Sequence, residues 1–384
     1  MPKTSTLDSS ADPEFAAIDS LFQHAGLVRS LRGKAGAAPL RNHNRPERGE
    51  PDELPQPPVP HIAPNGVQLL TVSAWKNSGK EPQEKPQSNR IPGSRIPGNR
   101  INDWLWHGFS SRRGGLSRAY CAEDAPGELN LGFTADDDRN LVAANRRLLA
   151  EAVSGNPDTP LVTIRQIHSS VLVHLGSADA ARDNPCKGDG LMTDQPGVLL
   201  AVQTADCIPV LVADRKRRAV AAFHAGWRGT AKRIVESGVG RMRLEFSSRP
   251  EDLVAAIGPG IGVCCYAVGE DLLSEFESQF TYGRELFREV YSADAVRTRY
   301  PMLFLTQRAP GHSPIGPRTH LDLVEANRRQ LLDAGLKPGS IRITGGCTNC
   351  HTDLFFSHRA SKGRAGRMMS VIGIRPQQRK GNLP

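Results

Sequence analysis

Long hydrophobic runs are missing from this chain of 384 residues. The longest, Val198–Val202 and Ile208–Ala213, stop far short of the roughly 20 apolar residues a membrane-spanning helix needs, so no membrane partner is expected. Aromatic residues are scarce at 5%, whereas Gly (37) and Pro (29) are plentiful, so part of the chain is expected to lie outside any packed core. The first fifteen residues hold no apolar block and carry Asp8, Asp12 and Glu14. That pattern fits neither a secretory signal nor a transit peptide. Cysteines number seven, an odd count in a long chain without a visible export signal. A reducing, cytoplasmic location is therefore expected, with thiols acting as ligands, nucleophiles or core fillers.

What is present in excess is positive charge, a formal +9. Residues 1–64 nearly balance, with 7 Lys/Arg against 8 Asp/Glu. Residues 76–100 hold 6 basic and 2 acidic side chains, and 359–384 hold 7 basic and none acidic, which leaves 101–358 at −1. The basic excess thus sits in a linker and a tail. Solvated charge is the simpler reading of such runs, and no nucleic-acid partner is expected; any attraction for an anion is expected to be local, from Arg228, Arg112 and the Arg359, Arg364 and Arg367 of the closing segment.

At roughly 100–200 residues per domain, the length allows one large domain or two modest ones. Residues 1–64 read as a disordered N-terminal extension, with a short helix over 15–31 and a Pro-, Arg- and Glu-rich stretch over 41–60. Lys76–Arg100 is polar and contains the near-repeat RIPGSRIPGNRI, which reads as a flexible insertion. Strands are expected at 67–72, 161–166, 171–175, 198–203, 208–213, 219–223 and 254–257, where apolar and β-branched residues cluster. Helices are expected at 136–151, 230–245 and 321–334, the last stopped by Gly335. Strands and helices mix without strict βαβ alternation, which favours an α+β domain over a doubly wound one.

Three strand ends carry reactive side chains: Gln166-Ile167-His168, Thr204-Ala205-Asp206-Cys207 and His224-Ala225-Gly226-Trp227-Arg228-Gly229. His168, Cys207 and His224 make a plausible ligand set, because zinc takes imidazole nitrogen and thiolate sulfur and a catalytic zinc keeps a fourth position open. The gaps of 39 and 17 residues match no local zinc motif; the same residues also read as a small core cysteine with hydrogen-bonded histidines at strand ends, or as a Cys207 nucleophile with His224 as base. The run 224–229 reads either as an anion site, with Arg228 and free N–H groups of a helix starting at Thr230, or as a glycine-rich turn. Ser111-Arg112 beside Gly114-Gly115 is a second small-residue turn with a basic group. Asp136-Asp137-Asp138 reads as a complement to a helix dipole. Cys347-Thr348-Asn349-Cys350 stands without a second CxxC, and these thiols, like the adjacent Cys264-Cys265, read as packed residues.

With these segments laid out, the chain resembles the bacterial laccase-domain proteins, also called multicopper polyphenol oxidoreductase-like. The resemblance rests on HGFSSRRGGLS (107–117), LNLG (129–132), TIRQIHSS (163–170), DGLMTDQPGVLLAVQTADCIPVLVAD (189–214), AAFHAGWRGT (221–230), IGPGIGVCCYAVGED (257–271), LDLVEANRRQL (321–331) and CTNCHTDLFFSHRASKGRAGRMMSVIG (347–373). It implies a layered α/β/β/α sandwich with mixed sheets, a single domain over 65–375 interrupted by the insertion at 76–100, and a basic tail at 376–384. It also implies a zinc ion on His168, Cys207 and His224; the laccase label implies copper, but the sparse histidines and the single mixed-ligand set suit a redox-inert metal better.

The activity implied is phosphorolysis of adenosine, inosine or methylthioadenosine to free base and ribose 1-phosphate, together with adenosine deamination, in a monomer. For that chemistry Cys207, His224, Asp206 and Arg228 are the expected catalytic residues, with Asp206 beside the thiolate moving protons or orienting a ligand. Arg112, Gln166, Asn130 and Arg228 are expected to hold substrate or phosphate. An amidase-type hydrolase editing cell-wall precursors would use the same Cys207 and His224. A non-enzymatic nucleic-acid binder would rely on the basic tail. The sequence departs from the family where it places Gly260 instead of Cys and Ala267 instead of Glu.

Overall fold

The computed structural model describes residues 58–76, 101–176, 186–290 and 318–377. The expected helix at 15–31, nearly all of the insertion and the end of the tail lie outside the described residues.

Fully buried strands need apolar side chains on both faces, and the central strands supply them. Strand β9 (Ile208–Asp214), β10 (Val220–Ala225), β11 (Leu253–Ile257) and β15 (Met368–Ile374) are buried along their whole length. Their side chains alternate between two distinct cores. Leu211, Ala213, Val220 and Ala222 meet Leu200, Val202 and Ile372 in one core, between two sheets. Val210, Val212, Ala221 and Phe223 join a second core with the helices behind them. On the far side, Ala201, Met369 and Val371 form a third with Leu149. The result is a helix–sheet–sheet–helix stack.

The first sheet has the order β1-β2-β3-β15-β8-β5, with β1 at His61–Ile62, β2 at Gln68–Leu70, β3 at Leu105–Ser110, β8 at Leu199–Thr204 and β5 at Leu161–Val162. The second has the order β14-β11-β9-β10-β7-β6, with β14 at Ile341–Ile343, β7 at Gly190–Thr193 and β6 at Leu172–His174. Strand β4 is Arg113–Ser117, and β12 (Phe287–Val290) pairs with β13 (Arg318–Leu321) in a separate two-stranded sheet. Both sheets are mixed: β5–β8, β6–β7 and β11–β14 run parallel and the other pairs antiparallel. The mixed-sheet α+β architecture expected from the sequence is what the structure has.

Helix α1 (Arg139–Ser154) covers the first sheet. It starts three residues later than the periodicity predicts, because Asp138 caps it by accepting from the amides of Asn140 and Leu141. Two further helices, α2 (Trp227–Ala231) and α3 (Ile234–Phe246), replace the single helix expected from Thr230. Arg233 adopts a left-handed conformation (φ 57°) between them and breaks the run. The Thr230 amide bonds Gly226 O at 2.8 Å, so it is not the free anion donor read from the sequence. Next come α4 (Glu270–Gln279) and α5 (Leu323–Asp333); α5 is capped by Asp322 and packs with α3 on the second sheet. Gly238 lets α3 lie close against β10, since a Cβ there would stand 2.3 Å from the Phe223 ring.

The chain crosses twice from the first sheet to the second: from β5 to β6 and from β8 to β9. Each crossing contains a non-glycine residue with positive φ, His168 (55°) and Asp206 (98°). Such conformations cost energy and persist only where the surroundings enforce them.

The expected extension 1–64 meets the fold at its end. His61 and Ile62 pair with Leu69 and Gln68, and Ala63 is buried beside Val67. Deleting 1–57 together with 77–99 is therefore expected to leave the melting temperature nearly unchanged. Extending the first deletion to residue 64 removes that hairpin and is expected to lower the melting temperature by several degrees, as read by calorimetry.

Candidate functional site

Asp189 opens β7 and is fully buried. A buried carboxylate needs partners, and this one accepts from five groups. Its Oδ1 takes the amide of His168 at 3.0 Å and His224 Nδ1 at 2.8 Å. Its Oδ2 takes the amides of Ile167 and Ser169 at 3.3 and 2.6 Å and the Ser169 hydroxyl at 2.7 Å. Burial pushes the carboxyl up, but hydrogen bonds from His224 and Ser169 outweigh it and hold it down at about 2. This anchor is thus intact above about pH 4 and is released only as the pH falls towards 2.

One carboxylate thereby orients two histidines that arrive from different crossings and strands. His224 ends β10, and its Nδ1 is committed to Asp189, so Nε2 is the nitrogen that meets Cys207. The rings of His168 and His224 lie 5.0 Å apart, edge to face. The ligand atoms of His168, Cys207 and His224 all fall within 4.8 Å of one another. Burial pushes the Cys207 thiol up, but the His224 charge and hydrogen bonds from both histidines bring it down to about 6. Burial depresses His224, while the Cys207 charge and the Asp189 hydrogen bond raise it to about 9. Each group thus favours the charged form of the other, and the His224 Nε2 proton facing the sulfur is the one a cation would displace.

The gap is shaped for a small occupant. A Cβ at Gly226 would stand 2.9 Å from Cys207 Sγ and 3.1 Å from His168 Cδ2. One thiolate and two imidazoles, one of them oriented by a carboxylate behind it, suit a divalent transition-metal ion.

Asp206 precedes Cys207 and turns away from it. Its Oδ1 accepts from Thr348 Oγ1 at 2.6 Å and its Oδ2 from the Arg359 amide at 2.7 Å. Its carbonyl receives the Ile261 amide at 2.7 Å. Asp206 therefore ties the Cys207 turn to the 258–269 and 344–366 segments. Gly260 packs against this turn; a Cβ there would lie 3.0 Å from Asp206 O. The Arg228 guanidinium rests on its neighbour Trp227, 4.7 Å from the ring centroid.

The other expected substrate residues are occupied. Both ends of the Gln166 amide bond the Gln203 backbone, at 2.8 and 2.7 Å, extending the β5–β8 pairing. Asn130 is fully buried, accepts from the amides of Gly132 and Arg367, and donates to Gly132 O and Asp137. Arg112 pairs with Glu128 at 2.7 Å, donates to the carbonyls of Tyr120 and Thr352, and stacks on Phe356. It lines a cavity with Tyr120, Ser357 and Arg364.

The structure adds Tyr266, which the motif reading passed over, and brings Arg359 and Arg367, expected from the sequence as local positive charge, into the same neighbourhood. Tyr266 is held protonated by burial and by the neighbouring Cys207 charge, and Arg359 and Arg228 lie in the same electrostatic neighbourhood. The Arg359 guanidinium sits 5.3 Å from the Tyr266 ring and donates to Ala267 O at 3.1 Å. Burial lowers Arg367, while Cys207 and Asp206 act on it in the opposite direction, so it too lies near the thiolate. Asp189 was detectable in principle, as an acid at the mouth of an apolar strand.

Residues 106–375 match the family described as multi-copper polyphenol oxidoreductase laccase. The chain belongs to that family. Among its relatives, the purine nucleoside phosphorylase of Deinococcus radiodurans is 37% identical over 268 residues, covering 70% of this chain and 88% of the relative. That of Bacteroides thetaiotaomicron is 33% identical over 273 residues, covering 70% and 91%. The crystal structure of YlmD from Geobacillus stearothermophilus, 31% identical, superposes with a TM-score of 0.57 over 74% of this chain and 98% of that one. Bacillus licheniformis YfiH, 32% identical, gives 0.58 over 71% and 93%.

Asp189→Asn replaces a five-fold acceptor by a group that must present two N–H donors. It is expected to weaken metal retention by about 10–100-fold, read by elemental analysis after competition with a chelator.

Proposed function

We propose that this chain is a purine nucleoside phosphorylase, cleaving adenosine, inosine or methylthioadenosine with phosphate to free base and ribose 1-phosphate, and that it also deaminates adenosine. The observation that carries the reading is the convergence of His168, Cys207 and His224 under Asp189, in a family whose relatives bear that enzyme's name.

His168, Cys207 and His224 are the residues assigned to hold a zinc ion, which supplies a Lewis acid when bound. An oxidase would call for additional histidine clusters to relay electrons. Among the described residues, the other converging set of ligand-type side chains consists of cysteines alone. This favours a redox-inert ion over copper.

Phosphorolysis needs a held dianion and a proton for the departing base. Arg359 and Arg228 supply positive charge beside Tyr266 and Cys207, and we assign them to phosphate. The Tyr266 hydroxyl keeps its proton, so it acts as a hydrogen-bond donor to substrate and not as a base. Asp206 positions the Cys207 turn through Thr348 and Arg359. Arg112, Gln166 and Asn130 are assigned to positioning, because their polar groups already hold backbone and neighbouring side chains.

A second reading rests on the Cys207–His224–Asp189 line, which is also the order of a cysteine-hydrolase relay. Under that reading the substrate is an amide in a cell-wall precursor. Incubating adenosine with and without phosphate separates the two. Adenine and ribose 1-phosphate forming only with phosphate, and inosine forming without it, are the expected results. Base release indifferent to phosphate, with no inosine, would move the assignment to the hydrolase. Arg359→Ala is expected to raise the KM for phosphate about tenfold, a loss of about 1.4 kcal/mol, with a smaller change in the KM for nucleoside.

A further inference from the structure

A second set of side chains converges away from His168 and His224, and the function above does not use it. Cys264 and Cys265 follow β11 in the turn closed by Cys265 N and Tyr266 N on Gly262 O. Cys347 and Cys350 lie after β14, and the bridge between Gly260 and Cys347 draws the two segments together, with Thr348 N bonding Gly260 O at 2.9 Å. The four sulfurs all lie within 4.8 Å of one another. Cys350 Sγ is 3.5 Å from Cys264 Sγ and 3.4 Å from Cys265 Sγ. Cys347 is buried, Cys265 is partly buried, and Cys264 and Cys350 are exposed.

Four neutral thiols gather little from one another, because S–H is a weak donor and sulfur a weak acceptor. Four thiolates repel unless a cation sits among them. Tetrahedral Zn–S bonds of about 2.3 Å set the sulfurs about 3.8 Å apart, close to the separations seen. A multinuclear iron–sulfur cluster holds iron and sulfide between its thiolates, and four sulfurs this close leave no space for that core. Disulfide pairing explains the geometry less well: Cys350 stands nearly equidistant from two neighbours, as expected of atoms arranged around a common centre. The surrounding backbone is also arranged for it. The amides of Gly262, Asn349 and Cys350 donate to Cys347 Sγ. A Cβ at Gly262 would press to 3.1 Å from Cys347 Cβ and 3.2 Å from Cys264 Sγ.

We propose that Cys264, Cys265, Cys347 and Cys350 form a tetrathiolate site for a single structural metal ion of the zinc class. The ion fastens the 258–269 segment to the 344–366 segment. Both segments hold the Cys207 turn: Thr348, within the CxxC, donates to the Asp206 carboxylate, and the Ile261 amide donates to the Asp206 carbonyl. The site is therefore a brace behind the Cys207 turn. Its filled shell of four protein ligands leaves no open position for a reactant.

The test uses the full-length chain, expressed with zinc and purified under reducing conditions. Metal per chain is measured by elemental mass spectrometry, and disulfides by intact mass. Cys264→Ser and Cys350→Ser change exposed side chains, so the fold is expected to survive them. Each is expected to hold one ion fewer per chain than the unaltered protein and to melt several degrees lower. Cys121→Ser, outside both clusters, is expected to match the unaltered protein. Cys207→Ala is expected to retain one ion, which then disappears when Cys350→Ser is added. Unchanged metal content in Cys264→Ser and Cys350→Ser, a metal-free Cys207→Ala chain, or a mass deficit showing disulfides among these four would each overturn the proposal. Failure here leaves the phosphorylase reading untouched, since that rests on phosphate-dependent base release.

Discussion

The buried carboxylate of Asp189 is the interaction on which the site depends. A charge removed from water is expensive unless every lone pair is used, and here five donors from the β5–β6 crossing and from His224 use them. Those same hydrogen bonds hold His168 at its positive φ, fix which His224 nitrogen meets sulfur, and seat both rings beside Cys207. One acid at the start of a strand thus does the positioning that the three ligand side chains, drawn from three separate segments, cannot do for themselves.

Much of the fold was legible because its central strands are covered on both faces. Ile208–Ala213 and Val198–Gln203 read as strands for the same reason that they are buried: continuous apolar sequence with a core on either side. Helix ends were harder to read. Periodicity marks which face is apolar but does not report Asp138 as the cap of α1 or the left-handed Arg233 that separates α2 from α3. Strand β5 is shorter than its apolar run because Gln166 carries the pairing onward through its side-chain amide.

The site was legible where family motifs marked it and obscure where it is made by long-range contact. Gln166, Asn130 and Arg112 looked available to substrate because a sequence displays polar groups without their partners. The four cysteines looked like packed residues because neither Cys264-Cys265 nor the CxxC makes a metal motif alone. Only the bridge between Gly260 and Cys347 assembles them. The net charge was similarly uninformative, since the positive groups that matter are a few arginines beside Cys207 and Tyr266.

His168 and Cys207 ride on the two segments where the chain leaves one sheet for the other, and His224 closes a strand of the second sheet. Whatever grips all three side chains also rivets the two sheets along their shared seam. An occupant that binds only the folded form adds RT ln(1 + [L]/Kd) to stability, about 2.7 kcal/mol at a hundredfold excess over Kd. The heat resistance of the sandwich is therefore a gauge of its chemistry, and a melting curve of this chain doubles as a titration of its site.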